Sequence, residues 1–229
     1  MATVLITGAN RGIGLEFTKQ YLARGETVVA TCRDPQAATE LMALTEGASR
    51  LTVLTLDVAN EASLAGFSGQ LGQTPVDIFV NNAGIYGPRS GFGDLDEAQW
   101  AQVFQVNSSA PLILTQIVID NLRAGKLKKM VFLTSKMGSI GDNQGGGSYI
   151  YRSSKAALNA AVKSLSIDLA DEGFLVGLLH PGWVRTDMGG PNGLIDATTS
   201  VSGLTKVIDE LGADNTGSFF NYDGSIIVW

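Results

Sequence analysis

The chain has 229 residues, of which 45% are apolar, and its formal net charge at pH 7 is -6. This length and apolar fraction suit one domain with a sizeable core, and the negative charge argues against nucleic acid or an anionic membrane as the main partner. The single cysteine, Cys32, excludes an intramolecular disulfide, which fits a cytoplasmic protein. The N-terminus lacks the basic and apolar regions of a secretion signal, and no apolar run reaches the about 18 residues that a transmembrane helix needs. We expect no metal site.

Short apolar segments alternate with amphipathic segments along the whole chain. We predict strands at residues 2–6, 27–32, 51–56, 78–80, 130–134, 175–179 and 218–221. We predict helices at residues 13–23, 35–44, 61–71, 97–122, 151–169 and 201–210. Strands and helices that alternate in this way form βαβ units and a parallel sheet covered on both faces. The predicted class is therefore α/β, in a single domain over residues 1–229.

The segment TGANRGIG, residues 7–14, joins the first predicted strand to the first predicted helix. Glycine permits the backbone angles of a sharp turn and lets a ligand approach the backbone closely, and a helix N-terminus attracts phosphate. Gly8, Gly12 and Gly14 therefore indicate a nucleotide phosphate site. The alternative is tight packing alone, because the spacing G-x3-G-x-G differs from the G-x-G-x-x-G of most dinucleotide folds.

Small or polar residues follow several predicted strands at the point where each strand ends. They form the groups 32–34, 57–58, 81–84, 134–135 and 180–182. Any one group alone fits a helix cap or a turn. Because ligands of parallel sheets bind beyond the carboxyl ends of the strands, the groups together predict a binding site at this edge.

Tyr151 and Lys155 open a long predicted helix, and their spacing places them on the same face. An ammonium group next to a phenol favours the phenolate and lowers the pKa of the tyrosine from about 10. A tyrosine tuned in this way can exchange a proton with a substrate. An exposed pair without function would show the same spacing, so the pair becomes informative only together with its context.

Six motifs occur in a fixed order: TGANRGIG, NNAG at 81–84, Asn107, Thr134-Ser135, Tyr151-x3-Lys155 and Pro181-Gly182-x3-Thr186. This ordered set resembles the short-chain dehydrogenase/reductase family, from residue 2 to the C-terminal tryptophan. The segments ATCRDP, YRSSKAALN and HPGWVRTDMGG are most similar to the C-factor and sniffer-type carbonyl reductases within that family. The resemblance implies a Rossmann-type, doubly wound parallel sheet with helices on both faces.

The resemblance also implies catalytic roles for four residues. Tyr151 would be the general acid for carbonyl reduction, and Lys155 would lower its pKa and hold the nicotinamide ribose. Ser135 would hydrogen-bond the substrate carbonyl, and Asn107 would anchor a water that links Lys155 to solvent. Without the resemblance, Asn107 is a polar residue in the middle of a predicted helix that bonds locally.

Three further residues of types that can act in catalysis need separate interpretation. Tyr149 has a serine and not a lysine four residues later, so we expect it to line the pocket or to pack. Ser139 has the spacing to Tyr151 that the family usually shows, whereas Ser135 directly follows a predicted strand, and we choose Ser135. His180, the only histidine, precedes a proline at a strand end, and we expect it to be structural.

Further residues would contact the cofactor if the resemblance holds. Asp57 and Val58 would lie against the adenine, although Asp57 also fits a turn cap. Thr186 would bind the nicotinamide carboxamide, and residues 187–203 would form a mobile substrate lid. The predicted cofactor-binding residues are Gly8, Asn10, Arg11, Gly12, Ile13, Gly14, Arg33, Asp57, Val58, Asn82, Ala83, Gly84, Tyr151, Lys155, Pro181, Val184 and Thr186.

The choice between NADPH and NADH depends on the residues after the second predicted strand. Asp34 lies about 20 residues past the glycine turn, where an acid would select NAD, but it precedes Pro35 and also fits a helix N-cap. Arg33 follows the strand tip and Arg11 lies in the glycine turn. Two guanidinium groups can bind the 2′-phosphate of NADP through charge-assisted hydrogen bonds, so we predict NADPH.

The sequence thus predicts an NADPH-dependent oxidoreductase that reduces a small aldehyde or ketone to an alcohol. The alternative is a nucleotide-bound, C-factor-like signalling protein with little or no turnover, because a fold does not determine a function. The complete set of four predicted catalytic residues favours the enzyme. Residues 97–122 and 151–169 would mediate a homodimer or homotetramer, as in much of the family, although the family also includes monomeric carbonyl reductases.

Overall fold

The computed structural model describes residues 1–47 and 49–229 and is built around one seven-stranded sheet. The strands are β1 (Thr3–Ile6), β2 (Thr27–Cys32), β3 (Leu51–Thr55), β4 (Ile78–Asn81), β5 (Lys129–Leu133), β6 (Leu175–His180) and β7 (Ser218–Asn221). Their order across the sheet is β3-β2-β1-β4-β5-β6-β7, and all neighbouring strands are parallel. The predicted Rossmann-type parallel sheet is confirmed.

Helices connect the strands in the order that the sequence predicts. They are α1 (Gly12–Ala23), α2 (Thr39–Ala43), α3 (Glu61–Leu71), α4 (Glu97–Phe104), α5 (Ala110–Ala124), α6 (Tyr149–Asp168) and α7 (Ala197–Glu210). Within the part of the chain that the structure describes, no helix combines the length and the apolar character needed to cross a bilayer.

Both faces of the sheet are covered by helices. Successive side chains of a strand point to opposite faces, and in β1 this separates Val4 and Ile6 from Leu5. The apolar cluster with Val4 and Ile6 includes buried residues of α1 and α7. The cluster with Leu5 includes buried residues of α3, α5 and α6. The sheet therefore separates two apolar cores, as expected for a doubly wound fold.

The strand order places a crevice at the carboxyl end of β1. β1 pairs with β2 on one side and with β4 on the other. The strand order therefore runs outward from β1 in opposite directions in the two halves of the sheet. Open α/β sheets bind ligands at such a switch point. The glycine turn lies there because it directly follows β1.

One predicted helix is shorter than expected, and the assignment of Asp34 as its N-cap is wrong. The side chain of Asp34 accepts hydrogen bonds from the backbone N–H groups of Gln36 and Ala37, at 3.0 and 3.3 Å. These bonds form a local turn, which is the usual competing structure for aspartate. The helix α2 begins only at Thr39.

The predicted helix over residues 97–122 is interrupted in its middle. A π-helical turn, Gln105–Ser109, separates α4 from α5. Such turns add one residue to a helical turn and occur frequently at functional sites. Asn107 lies within this turn and not in a regular helix.

The predicted lid, residues 187–203, overlaps the beginning of α7. Asp196 caps this helix by accepting a hydrogen bond of 2.7 Å from the backbone N–H of Thr199. Ser200 is fully buried and donates a hydrogen bond of 2.6 Å to the carbonyl oxygen of Pro181. The second half of the predicted lid is therefore an anchored helix, and only residues 187–196 are loop.

Self-association through the helices at residues 97–122 and 151–169 stays a prediction. These helices expose Ile113, which is 46% accessible, and Ile167, which is 63% accessible. Isolated exposed apolar residues are normal on monomers, so they do not decide the oligomeric state.

Candidate active site

The glycine turn after β1 is held by close backbone packing. Gly8 and Gly12 have positive φ angles of 64° and 54°, which only glycine adopts readily. A Cβ atom on Gly14 would lie 2.2 Å from the carbonyl oxygen of Gly8 and 2.6 Å from the side-chain nitrogen of Asn82. Gly14 is thus required for packing, whereas the phosphate site at the glycine turn stays a prediction.

Asn82 fixes the glycine turn from the neighbouring strand. Its Nδ2 donates hydrogen bonds to the carbonyl oxygens of Thr7 and Gly8, at 2.8 and 3.0 Å. The hydroxyl of Thr7 accepts from the backbone N–H groups of Asn82 and Ala83, each at 2.9 Å. Asn82 therefore positions the loop that would face a cofactor.

The N-terminus of α1 carries free backbone donors suited to phosphate. Arg11 is the N-cap residue and makes no side-chain capping bond, and the first turn contains no acidic side chain. The first N–H groups of a helix have no acceptor within the helix, and the helix dipole favours an anion there. The residues present therefore fit the pyrophosphate of a dinucleotide cofactor.

A cleft of about 650 Å³ runs from the glycine turn along the carboxyl edge of the sheet. It brings together all predicted cofactor-binding residues except Val184, which lines the adjoining cavity. Those that line the cleft are Gly8, Asn10, Arg11, Gly12, Ile13, Gly14, Arg33, Asp57, Val58, Asn82, Ala83, Gly84, Tyr151, Lys155, Pro181 and Thr186.

The cleft is lined by the residues that would select between NADPH and NADH, namely Arg11, Arg33 and Asp34. Arg33 is exposed, and no carboxylate among the described residues pairs with it. Arg11 forms an exposed ion pair of 2.7 Å with Asp187. Asp34 also lines the cleft, but one of its oxygens is already bonded within the turn. Asp57 similarly accepts a bond of 3.0 Å from the backbone N–H of Ala59.

Tyr151 and Lys155 lie together on α6, as their spacing predicts, but the expected effect on the tyrosine is wrong. Burial raises the pKa of Tyr151 to about 12, and the neighbouring Ser135 hydroxyl offsets part of this rise. The Lys155 ammonium lies 6.0 Å from the centre of the Tyr151 ring and donates a bond of 2.9 Å to the carbonyl oxygen of Leu133. Burial lowers the pKa of Lys155 to about 8, because removal from water disfavours the charged form.

Ser135, and not Ser139, lies beside Tyr151. Ser135 lines the cavity next to Tyr151, and its hydroxyl accepts a bond from the backbone N–H of Met137. Ser139 is turned away: its hydroxyl donates to the carbonyl oxygen of Trp229 at 3.2 Å and accepts from the backbone N–H of Asp142 at 3.0 Å. The geometry therefore favours the serine that follows the strand.

Asn107 is bonded to the loop that follows β4. Its side chain accepts a hydrogen bond of 2.9 Å from the backbone N–H of Ile85 and donates one of 2.8 Å to the carbonyl oxygen of the same residue. It also donates to the hydroxyl of Ser154 on α6, at 3.1 Å. Gly84 lies against this residue, since an added Cβ atom would be 3.2 Å from Asn107 Oδ1 and 3.6 Å from Lys155 Nζ.

A second cavity, of about 580 Å³, adjoins the cleft at Tyr151, which lines both. Tyr86 lines it and stacks on Tyr151, with ring centres 4.3 Å apart. The Tyr86 hydroxyl is 3.1 Å from that of Ser148. The sequence gives no signal for Tyr86, because this loop position shows no periodicity. Further residues that line this cavity are Arg89, Lys136, Met137, Asp142, Arg152 and Trp183, together with Pro191 and Asn192 from the predicted lid.

His180 and Tyr149 differ in their relation to this cavity. His180 lines the cavity, and burial lowers its pKa to about 4, so the ring is neutral at physiological pH. Tyr149 is not among the lining residues and instead lies against Phe92, with ring centres 6.3 Å apart. Across the described residues, no group of three or more His, Cys, Asp or Glu side chains could hold a metal ion.

Known proteins are similar to this chain in sequence and in structure. The profile of the family described as short chain dehydrogenase matches residues 2–194. The C-signal protein of Myxococcus xanthus is 48% identical over 155 residues, which cover 68% of this chain and 93% of that protein.

Two solved structures are similar over the full length. The carbonyl reductase Sniffer of D. melanogaster has a TM-score of 0.93 at 34% identity, covering 100% of both chains. The NADPH-bound carbonyl reductase from chicken fatty liver has a TM-score of 0.92 at 33% identity, covering 100% of this chain and 99% of that chain.

Proposed function

Because this chain belongs to the short-chain dehydrogenase family, we propose that it is an NADPH-dependent carbonyl reductase that converts an aldehyde or ketone to an alcohol. One observation carries the proposal: Tyr151 lines both the cofactor-sized cleft and the adjoining cavity. A proton donor at this junction meets a carbonyl in the cavity and a dinucleotide in the cleft at the same time.

The side chains around Tyr151 suit carbonyl reduction. A pKa of about 12 keeps the phenol protonated at neutral pH, so Tyr151 acts as the proton donor. Ser135 donates a hydrogen bond to the carbonyl oxygen, where negative charge develops, and Tyr151 delivers its proton to the same oxygen. A nicotinamide cofactor held in the cleft would supply the hydride for the carbonyl carbon. Carbonyl compound, NADPH and one proton thus give alcohol and NADP.

Lys155 and Asn107 would support the proton transfer from Tyr151. Lys155 is 5% exposed, and its ammonium group donates to one acceptor among the described residues, the carbonyl oxygen of Leu133. Its other protons are therefore available to the nicotinamide ribose. Asn107 fixes the loop at Gly84 and Ile85. We also propose that it anchors a water that links Lys155 to solvent.

NADPH is the proposed cofactor because of the charge at the adenosine end of the cleft. Arg33 has no carboxylate partner in the described chain, and Arg11, which also lines the cleft, forms an exposed ion pair with Asp187. Exposed ion pairs contribute little to the free energy of folding, so a phosphate can replace Asp187 as the partner of Arg11. The NADPH in a similar carbonyl reductase gives further support.

Replacing Arg33 by alanine should weaken NADPH binding about tenfold or more, the scale of a hydrogen bond to a charged group, and NADH binding little. Titration of the folded protein with each cofactor measures this. Arg50→Ala is the matched control, because Arg50 is an exposed arginine directly before β3 and does not line the cleft. Equal losses for both cofactors, or tighter binding of NADH by the unchanged protein, would return cofactor selection to Asp34.

The similarity to the C-signal protein supports a second candidate, a nucleotide-bound signalling protein with little or no turnover. A panel of small aldehydes, ketones and quinones separates the two, with NADPH oxidation followed at a fixed protein concentration. A reductase oxidises NADPH in the presence of at least one compound. Tight nucleotide binding without turnover on any panel member, in protein shown to be folded, would favour signalling.

A further inference from the structure

The cavity beside Tyr151 is basic although the protein as a whole is acidic. The formal net charge of the chain is -6, yet the charged side chains that line this cavity are Arg89, Lys136, Arg152 and a single carboxylate, Asp142. A cleft lined by one sign of charge attracts ligands of the opposite sign. The excess of positive side chains in this cavity therefore indicates a negatively charged substrate.

Only one of these cations is neutralised by the protein. Lys136 forms an ion pair of 3.1 Å with Asp142. Neither Arg89 nor Arg152 pairs with a carboxylate anywhere in residues 1–47 and 49–229. The cavity thus offers two guanidinium groups to a ligand.

Arg152 is oriented by the backbone around it. Its Nε donates to the carbonyl oxygen of Gly146 at 3.2 Å, and its Nη1 donates to that of Met137 at 3.3 Å. These two bonds leave other donors of the guanidinium fork without a protein acceptor. Because Arg152 is half-buried, an anion that accepts these bonds is screened less than at an open surface.

The guanidinium group of Arg89 lies over the ring of Tyr86, the aromatic neighbour of Tyr151. Its guanidinium carbon lies 5.2 Å from the centre of the Tyr86 ring, a cation–π distance. Tyr86 in turn stacks on Tyr151 at 4.3 Å. Arg89 and Tyr151 also line the same cavity, so a group bound by Arg89 shares that cavity with the site of proton transfer.

We propose that the substrate is an anionic carbonyl compound whose carboxylate or phosphate is bound by Arg89 and Arg152 while its carbonyl oxygen meets Ser135 and Tyr151. This inference rests on the proposed reductase function. A planar guanidinium matches a carboxylate or phosphate through parallel hydrogen bonds, and neither oxyanion needs a metal at this site.

Matched substrates test the proposal by kinetics with NADPH. The anionic compounds are 4-carboxybenzaldehyde and 4-formylphenyl phosphate, and the neutral reference is methyl 4-formylbenzoate. We expect kcat/KM to be about tenfold or more higher for at least one anion than for the ester, the scale of charge-assisted bonds. Arg89→Gln and Arg152→Gln should each reduce this ratio, whereas Arg50→Gln, remote from the cavity, should leave it unchanged.

Equilibrium binding keeps the proposal testable without turnover. Calorimetric titration compares benzoate and phenyl phosphate with neutral benzamide, using the protein saturated with NADP. We expect at least one anion to bind more tightly than benzamide and to lose this advantage in Arg152→Gln.

The outcomes separate this proposal from the proposed function. If anions and ester are reduced equally well, the reductase stands and the anion site is wrong. If none of these compounds and no member of the wider carbonyl panel is reduced, but an anion binds through Arg152, the anion site stands and the reductase is wrong. Binding of anions and benzamide with equal affinity, or an anion preference that survives both arginine substitutions, overturns the anion site.

Discussion

Replacing Tyr151 by phenylalanine should lower kcat at least about 100-fold, the usual scale for loss of a general acid, with NADPH binding and stability nearly unchanged. The phenyl ring keeps the stacking on Tyr86 and fills the same buried volume. Only the hydroxyl that would protonate the carbonyl oxygen is lost. Steady-state kinetics with a substrate from the panel measures the effect, and thermal unfolding checks the fold.

Tyr149→Phe provides the control for this substitution. Tyr149 lies two residues away on the same helix but packs against Phe92 outside the cavity. It should retain reductase activity close to that of the unchanged protein. If Tyr151→Phe also retains it, Tyr151 is not the proton donor and the proposed chemistry is wrong.

Replacing Ser135 by alanine should also lower kcat by a large factor, about 100-fold or more, as for other donors to a developing oxyanion. Its hydroxyl is next to Tyr151 and faces the cavity. The substitution removes the second hydrogen bond to the carbonyl oxygen, so the loss appears in kcat more than in cofactor binding.

Ser139→Ala is the matched variant for this prediction. Ser139 bonds to Trp229 and Asp142, so its loss should affect stability more than turnover. The two variants are compared under one set of conditions with the same substrate. The opposite ranking of their kcat values would transfer the role to Ser139.

The sheet and the glycine turn are predictable from sequence because local patterns specify them. The strand Thr27–Cys32 is rich in β-branched residues and lies between Gly25-Glu26 and the charged pair Arg33-Asp34, and its predicted bounds agree with the structure. The turn after β1 is specified by glycines whose positive φ angles other residues rarely adopt. Each of these signals lies within a few residues of the element that it predicts.

Features that depend on tertiary contacts are not predictable in the same way. The helical periodicity of residues 97–122 continues through the π-helical turn, which shifts the pattern by only one residue. Tyr86 meets Tyr151 because the loop after β4 packs beside the start of α6, a contact across 65 positions. The raised pKa of Tyr151 follows from its burial, whereas the sequence reveals only the neighbouring lysine.

The most direct test of the central claim follows the hydride itself. NADPH with two deuterium atoms at C4 of its nicotinamide is incubated with the protein and a reducible aldehyde, and the alcohol is analysed by mass spectrometry. The proposed reductase predicts one deuterium on the carbinol carbon of each alcohol molecule, formed in equal amount to the NADP produced. An alcohol without deuterium, or no alcohol from any carbonyl compound in folded, nucleotide-binding protein, would contradict it.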